Sequence, residues 1–408
     1  MKISRFASKV GLSETGAVDE LVRARKREGL EVYNFGVGQP DFPTPESACE
    51  AGIRAIREQK TRYTSPMGTI ELRQAIAEKM RREQGLEYDP AGEILVSSGA
   101  KHSIHNMLAA VLSPGEEVLL PTPAWVSYPS MVALLGGEPR YVETALEDRF
   151  KMAAEKLRAA ITPRTVGLIL NSPCNPTGAV YAPEELRALA AVILEKKLWV
   201  VADEIYEKIL FDGRRHAGLV TVEPALRESV AVVSGVSKTY SMTGWRIGYA
   251  AGPKDWIQAA SAIQSHQAGN PCSVSQEAVR HALHACDEEA EAMRRAFERR
   301  RDLVMRLLEG VPGLELFRPE GTFYLFPRIV GLLDPAGQGA PGAPALTTDR
   351  ELVFWLLEKT GVATVPGASF RAPGYMRISF AASEETLERG LGRMREALAG
   401  RRPAARMG

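Results

Sequence analysis

The chain has 408 residues, which at about 150 residues per domain makes two domains or one large one. Hydrophobic residues are 45% and charged residues 25% of it, the mix of a globular chain rather than a disordered or fibrous one. Lys plus Arg total 51 against 50 Asp plus Glu, a net charge of +1, which argues against a general nucleic-acid binder or a membrane-surface protein. No apolar run reaches the roughly 18 residues that span a bilayer. The opening MKISRFASKVGLSETG shows no apolar h-region or small-residue cleavage site. Cys49, Cys174, Cys272 and Cys286 have neither CxxC nor metal-ligand spacing. The expectation is a soluble cytoplasmic protein with reduced thiols and no bound metal.

From about residue 93 short apolar runs alternate with helical stretches. Strand EILVSS leads to helix AKHSIHNMLAAVL, which stops at Pro114 and Gly115. Strand EVLLPTP leads to helix WVSYPSMVALL, ended by Gly136 and Gly137, and then come strand PRYVET and helix AAEKLRAAI. Strand TVGLILNSP, helix PEELRALAAVILEK and strand LWVVADEIY follow. Such alternation predicts βαβ units and a mostly parallel sheet covered on both faces. Right-handed crossovers then line successive strand ends along one edge, where ligands sit. After SVAVVSGVSK, the run GWRIGYAAG is reached by a short connection, which predicts a strand antiparallel to its neighbours. Ser273 to about Gly310 reads as one long charged helical stretch with a solvated face, bridging two domains. LELFRPEGTFYLFPRI and YMRISFA predict strands of a second α+β unit. The Pro/Gly/Ala-rich stretch 334–346 reads as a mobile surface loop, and the terminal GRRPAARMG as a frayed tail.

Candidate chemistry falls at the strand ends. SSGAKHS follows a strand and opens a helix, so backbone N–H groups at Gly99, Ala100 and Lys101 would face an anion; the alternative is ordinary strand–turn–helix punctuation. NSPCNPTG (171–178) closes another strand, and Asn175 ahead of Pro176 favours an extended backbone with its amide free for a ligand; a plain turn has the same composition. Asp203 directly after LWVVA is costly to bury unless a cation or hydrogen-bond donors meet it, or else it caps the turn. Lys238 after a buried strand either snorkels to solvent or is a lysine of lowered pKa that forms imines with carbonyl compounds. Arg246 could clamp a phosphate bidentately. Together these residues describe one ligand: a phosphate, a carbonyl and a cationic ring nitrogen. Pyridoxal phosphate has all three.

GVGQPDFPTPE, YTSPMGTIELRQAI, SSGAK, PTPAWVSYP, NSPCNPTGAVY, VVADEIYE, SGVSKTYSMTGWRIGY, EGTFYLF and YMRISFA together resemble the class I aminotransferases of pyridoxal-phosphate fold type I, in particular the bacterial aspartate aminotransferase subgroup. The resemblance runs from about Ser13 to Leu398. It implies an α/β fold, with a large cofactor-binding domain at 45–290 whose mostly parallel sheet is sandwiched by helices. A smaller α+β domain would be formed by 1–44 and 291–408. It implies that Lys238 attaches pyridoxal 5′-phosphate and moves the substrate's α-proton, that Asp203 pairs with the ring nitrogen, and that Asn175 and Tyr206 bind the ring oxygen. Trp125 would stack on the ring, and Arg246, Ser237, Gly99, Ala100 and Lys101 would gather the phosphate, with Tyr63 reaching in from the other subunit of a homodimer. Arg377 would grip the substrate α-carboxylate near Gly38, Trp125 and Asn175. The implied reaction is a ping-pong transfer between an amino acid and a 2-oxo acid, L-aspartate and 2-oxoglutarate where Lys101, Ser13 and Thr15 receive a distal carboxylate. Aromatic or other amino donors, or a lyase or oxidase relative, are the alternatives. Glu14 departs from the subgroup and would repel a dicarboxylate if it pointed inward. His102 and His105 are atypical too and read as packing or surface residues.

Overall fold

The computed structural model describes residues 14–334 and 345–399, the side chains of Glu14, Thr15, Ala17 and Asp19 excepted. The expected loop at 334–346 and tail at 400–408 therefore fall almost wholly outside the described residues. The strands in chain order are β1 Tyr33–Asn34, β2 Ile94–Ser97, β3 Glu117–Thr122, β4 Glu138–Glu143, β5 Thr165–Asn171 and β6 Trp199–Asp203. After them come β7 Val230–Gly235, β8 Gly248–Ala251, β9 Tyr324–Leu325, β10 Val362–Ala363, β11 Val365–Pro366 and β12 Met376–Ser379. Seven form one sheet in the order β2-β8-β7-β6-β5-β3-β4. The pairs from β4 through β7 are parallel, and β8 runs antiparallel to both β7 and β2. β2, β7 and β8 are buried at every residue, as a sheet covered on both faces requires. One face packs through Leu72, Ile76, Leu189 and Ile193, the other through Ile104, Leu108, Val132 and Ile257.

A third core gathers Phe297, Val304, Leu352, Leu356, Ile378, Leu387 and Leu391, together with Tyr33 and Phe35 from the other end of the chain. It covers an antiparallel sheet of order β11-β12-β9 and a parallel pair of β1 with β10.

Three expectations change in detail. The long helical stretch from Ser273 is two helices, Ser273–Ala285 and Asp287–Leu308. They break at buried Cys286, whose φ of −113° and ψ of 24° are not helical. Asp287, Glu288 and Glu289 follow at once, and acidic residues favour a helix start there by facing the positive end of its dipole. In LELFRPEGTFYLFPRI only Tyr324 and Leu325 are strand; Pro319, Gly321 and Pro327 interrupt the rest, because proline cannot donate to a ladder. Within GWRIGYAAG the strand begins only at Gly248, which leaves Arg246 in a turn at φ +56°. No helix among the described residues is long and apolar enough to cross a membrane.

Candidate active site

The parallel strands end side by side, and a cavity of about 420 Å³ opens at that edge. β6 delivers Asp203 as its last residue and β5 delivers Asn171. Beyond the end of β7 the chain turns and presents Ser237 and Lys238. Trp125 and Tyr128 come from the segment after β3, and Ala100 and Lys101 from the first turn of the helix Ala100–Val111. β12 contributes Arg377 from the other side.

Asp203 is buried, 3% exposed. The Tyr128 hydroxyl donates to its Oδ2 at 2.5 Å and the Ile205 N–H to Oδ1 at 3.2 Å. Burial pushes its carboxyl up to about 6, with Glu204 adding to the rise and the Tyr128 and Ile205 hydrogen bonds and the Lys238 charge opposing it. Burial raises the Tyr128 hydroxyl well above the usual range, so it stays a donor. Lys238 Nζ donates to the Gly38 carbonyl at 2.6 Å. Burial first, then the positive charges of Arg377, Arg246 and Lys101, push its ammonium down to about 8, against the pull of Asp203.

Arg377 is 3% exposed. It donates from Nη1 to Asn175 Oδ1 at 3.0 Å and from Nη2 to the Gly36 carbonyl at 2.7 Å. Its guanidinium lies over the Tyr324 ring at 4.5 Å, and its buried Nε has no hydrogen-bond partner among the described residues. Asn175 is held by its own N–H, which donates to Asn171 Oδ1 at 2.8 Å, while Asn171 Nδ2 donates to the Asp203 carbonyl at 2.9 Å. The Tyr206 and Tyr324 hydroxyls meet at 2.9 Å.

The helix Ala100–Val111 meets the cavity at its N-terminus. Gly99 precedes it at φ 88° and ψ 158°, a region that essentially only glycine adopts. A Cβ there would stand 2.4 Å from Arg246 Nη2, so the guanidinium lies directly against the turn. Lys101 Nζ sits 4.9 Å from the Trp125 ring centroid.

The structure thus brings Lys238, Asp203, Tyr206, Asn175, Ser237, Arg246, Arg377, Trp125, Ala100, Lys101 and Gly38 to one cavity, with Gly99 behind Arg246. Tyr63 stands apart from this cavity at 98% exposure. Ser13 and the side chains of Glu14 and Thr15 lie outside the described residues. His102 does not line the cavity; its Nδ1 accepts from the Ser98 N–H and its Nε2 meets Gln267 Oε1, both at 3.4 Å. His105 does not line it either. Sequence reasoning missed Tyr128, Asn171, Gly36 and Tyr324. None of the four stands where residue type alone demands a partner in the sequence.

The chemistry of the donor set fits pyridoxal phosphate. Among the described residues, Lys101, Lys238, Arg246 and Arg377 line the cavity against a single carboxylate, Asp203. That surplus of positive charge at a helix N-terminus suits a phosphate. Arg377 Nε, without a partner among the described residues, marks a guanidinium with donor capacity left for a second anion.

The chain belongs to the aminotransferase class I and II family, whose sequence profile matches residues 31–394. The family is one of pyridoxal-phosphate-dependent transferases, and this chain is an aminotransferase of fold type I. It is 43% identical to the aspartate aminotransferase of Geobacillus stearothermophilus over 394 residues, covering 97% of this chain and 98% of that one. Among solved structures it is similar to the aspartate aminotransferase of Rhizobium meliloti, with a TM-score of 0.93, 41% identity and coverage of 98% and 99% of the two chains. It also resembles the Thermus thermophilus aspartate aminotransferase with maleate, with a TM-score of 0.90, 40% identity and coverage of 97% and 99%.

Proposed function

We propose that this chain is a cytoplasmic homodimer that moves the α-amino group of L-aspartate to 2-oxoglutarate, using pyridoxal 5′-phosphate held in this cavity. The observation that carries the reading is the pairing of Lys238 and Asp203 in one cavity with two arginines: Arg246 at a helix N-terminus and Arg377 across from it. When bound, the cofactor supplies an aldehyde for the substrate amine and a ring that takes up the negative charge left when the α-proton departs.

The chain's own residues do the rest. Lys238 Nζ, whose ammonium is held down to about 8, is partly neutral near physiological pH; it would attach the aldehyde and later carry the α-proton. The Asp203 carboxylate, fixed by Tyr128 and Ile205, would pair with the ring nitrogen and keep it protonated. Tyr206 and Asn175 would bind the ring oxygen, and Trp125 would stack on the ring. Arg246, Ser237, Lys101 and the N–H groups after Gly99 would gather the phosphate. Arg377, oriented by Asn175 and the Gly36 carbonyl, grips the α-carboxylate in a planar pair. Lys101, poised over Trp125, is a cation for a distal carboxylate, with Ser13 and Thr15 as further partners. The similarity to an enzyme solved with maleate, a dicarboxylate, supports that choice. Tyr63, 98% exposed, would reach the partner's phosphate. The expected division is a large unit of 45–290 and a small one of 1–44 with 291–408; the core around Phe297 also takes in Ile205, Tyr206, Ile209 and Phe211 of the large unit.

Initial rates with a panel of amino donors and 2-oxoglutarate test the assignment. L-aspartate and L-glutamate should turn over fastest; faster turnover of aromatic or neutral donors rejects the dicarboxylate reading. Continued turnover without any oxo-acid acceptor, beyond one equivalent of product per protomer, would instead make the chain a lyase or oxidase.

A further inference from the structure

The loop between β1 and the helix Glu46–Arg57 contributes no side chain to the chemistry, yet two of its carbonyls touch the central cations. Gly36 accepts from Arg377 and Gly38 from Lys238. Gly36 is buried, and its N–H donates to Asn34 Oδ1 at 3.1 Å; beyond it Val37 is 36% exposed, and Gly38 lies so close to Tyr324 that a Cβ there would stand 2.5 Å from the hydroxyl. The loop's far end is fastened. Asp41 receives two parallel hydrogen bonds from Arg300, Nη1 to Oδ1 at 2.6 Å and Nη2 to Oδ2 at 3.0 Å. The Arg300 guanidinium lies 4.5 Å from the Phe42 ring centroid and 5.6 Å from that of Phe297, and the two rings pack edge to face at 5.3 Å. The Ser241 hydroxyl, on the turn that follows Lys238, donates to the Phe42 carbonyl.

Arg300 belongs to the helix Asp287–Leu308. Ala290 on that helix packs into the large-sheet core, and Phe297, Leu303 and Val304 into the other. A bidentate arginine on the helix shared by both cores therefore holds the segment that presents Gly36 and Gly38. Resting on the functional reading above, we infer that Asp41 and Arg300 are a positioning pair. They set the two carbonyls that orient Arg377 and Lys238, and so set the affinity for the amino-acid substrate without touching it. The pair is mostly shielded, with Arg300 8% and Asp41 30% exposed at the side chain, so removing one partner leaves a poorly solvated charge as well as a loosened loop.

The test compares Asp41→Asn, Arg300→Met and the double variant as holoenzymes. Each single variant should raise KM for L-aspartate roughly ten- to a hundredfold, the scale of a small misplacement of a binding group, with a smaller fall in kcat. Amide hydrogen exchange in the peptide spanning 33–45 should quicken in both, while exchange in β5 to β7 stays as in the wild type. The double variant should be no worse than the worse single one, since the two residues act as one contact. Unchanged KM and loop exchange in Asp41→Asn, a partly exposed site where the fold is safe, would overturn the inference. So would additive losses in the double variant, or faster exchange spread evenly over the protein. If the wild type turned over no amino acid, the functional reading would fall, and the loop exchange would still decide the pair.

Discussion

At Lys238, burial and the charges of Arg377, Arg246 and Lys101 hold the ammonium down to about 8. Only the neutral amine attacks an aldehyde. Below that pH the neutral fraction grows about tenfold per unit, so capture of pyridoxal 5′-phosphate by the apoprotein should accelerate about tenfold per pH unit from 6 to 7 and level off above 8. Stopped-flow absorbance reads the rate; a rate independent of pH across that window contradicts the depressed amine. Tyr128 acts on the opposite partner. Its hydrogen bond lowers the Asp203 pKa, so Tyr128→Phe should let that carboxyl rise above about 6 and lose charge as pH falls toward neutrality. One hydrogen bond to a charged group contributes about 1.5–3 kcal/mol; equilibrium dialysis should show cofactor affinity reduced about tenfold or more. Lys238 and Asp203 were legible in the sequence because a charged residue at the end of an apolar run demands a reason. Tyr128, Asn171 and Tyr324 were not, since a tyrosine or asparagine in such a segment looks the same whether its polar atom meets a carboxylate or water.

The strands of the large sheet follow from their apolar runs, and the antiparallel β8 from the short connection before it. What escapes a local reading is how closely two elements approach. A Cβ on Gly248 in β8 would stand 2.1 Å from the Ala100 nitrogen, so the helix Ala100–Val111 rests its first turn directly on the sheet. Gly99 holds a conformation costing other residues about 1–3 kcal/mol, with Arg246 Nη2 where a Cβ would go. Gly99→Ala should therefore lower unfolding stability by about that amount, read by urea denaturation. It should also weaken inorganic phosphate binding by displacing Arg246. Undiminished phosphate binding would remove the helix N-terminus from the proposed cradle. The break at Cys286 was equally invisible, because the charged run reads as helical on both sides. Cys286 and Ala290 both pack into the large-sheet core, so the passage to the core around Phe297 comes after the break, within the helix Asp287–Leu308.

At the scale of the whole molecule, Tyr63 is an aromatic residue 98% exposed in one protomer, on a segment that is nonetheless anchored. Gln276 Nε2 donates to Thr64 Oγ1 at 3.1 Å and Gln264 Nε2 to the Pro66 carbonyl at 2.6 Å. An anchored segment with an exposed tip suits a side chain that completes a site on a partner. Tyr63→Phe should weaken cofactor binding severalfold without changing the dimer's mass by light scattering. Mixing Tyr63→Ala with Lys238→Ala protomers should restore activity to about a quarter of wild type at equal ratio, because exchanged dimers carry one intact site. No recovery after verified subunit exchange would place each site within one protomer.

The central claim is the covalent hold of Lys238 on the cofactor and its release by substrate. Borohydride reduction of the holoenzyme followed by peptide mass spectrometry tests it in one step. The reduced cofactor mass should appear on the peptide containing Lys238. Prior treatment with L-aspartate, without any oxo acid, should free that peptide while an equivalent of oxaloacetate per protomer accumulates. An unmodified Lys238 in protein that turns over substrate, or label at another lysine, would contradict the account.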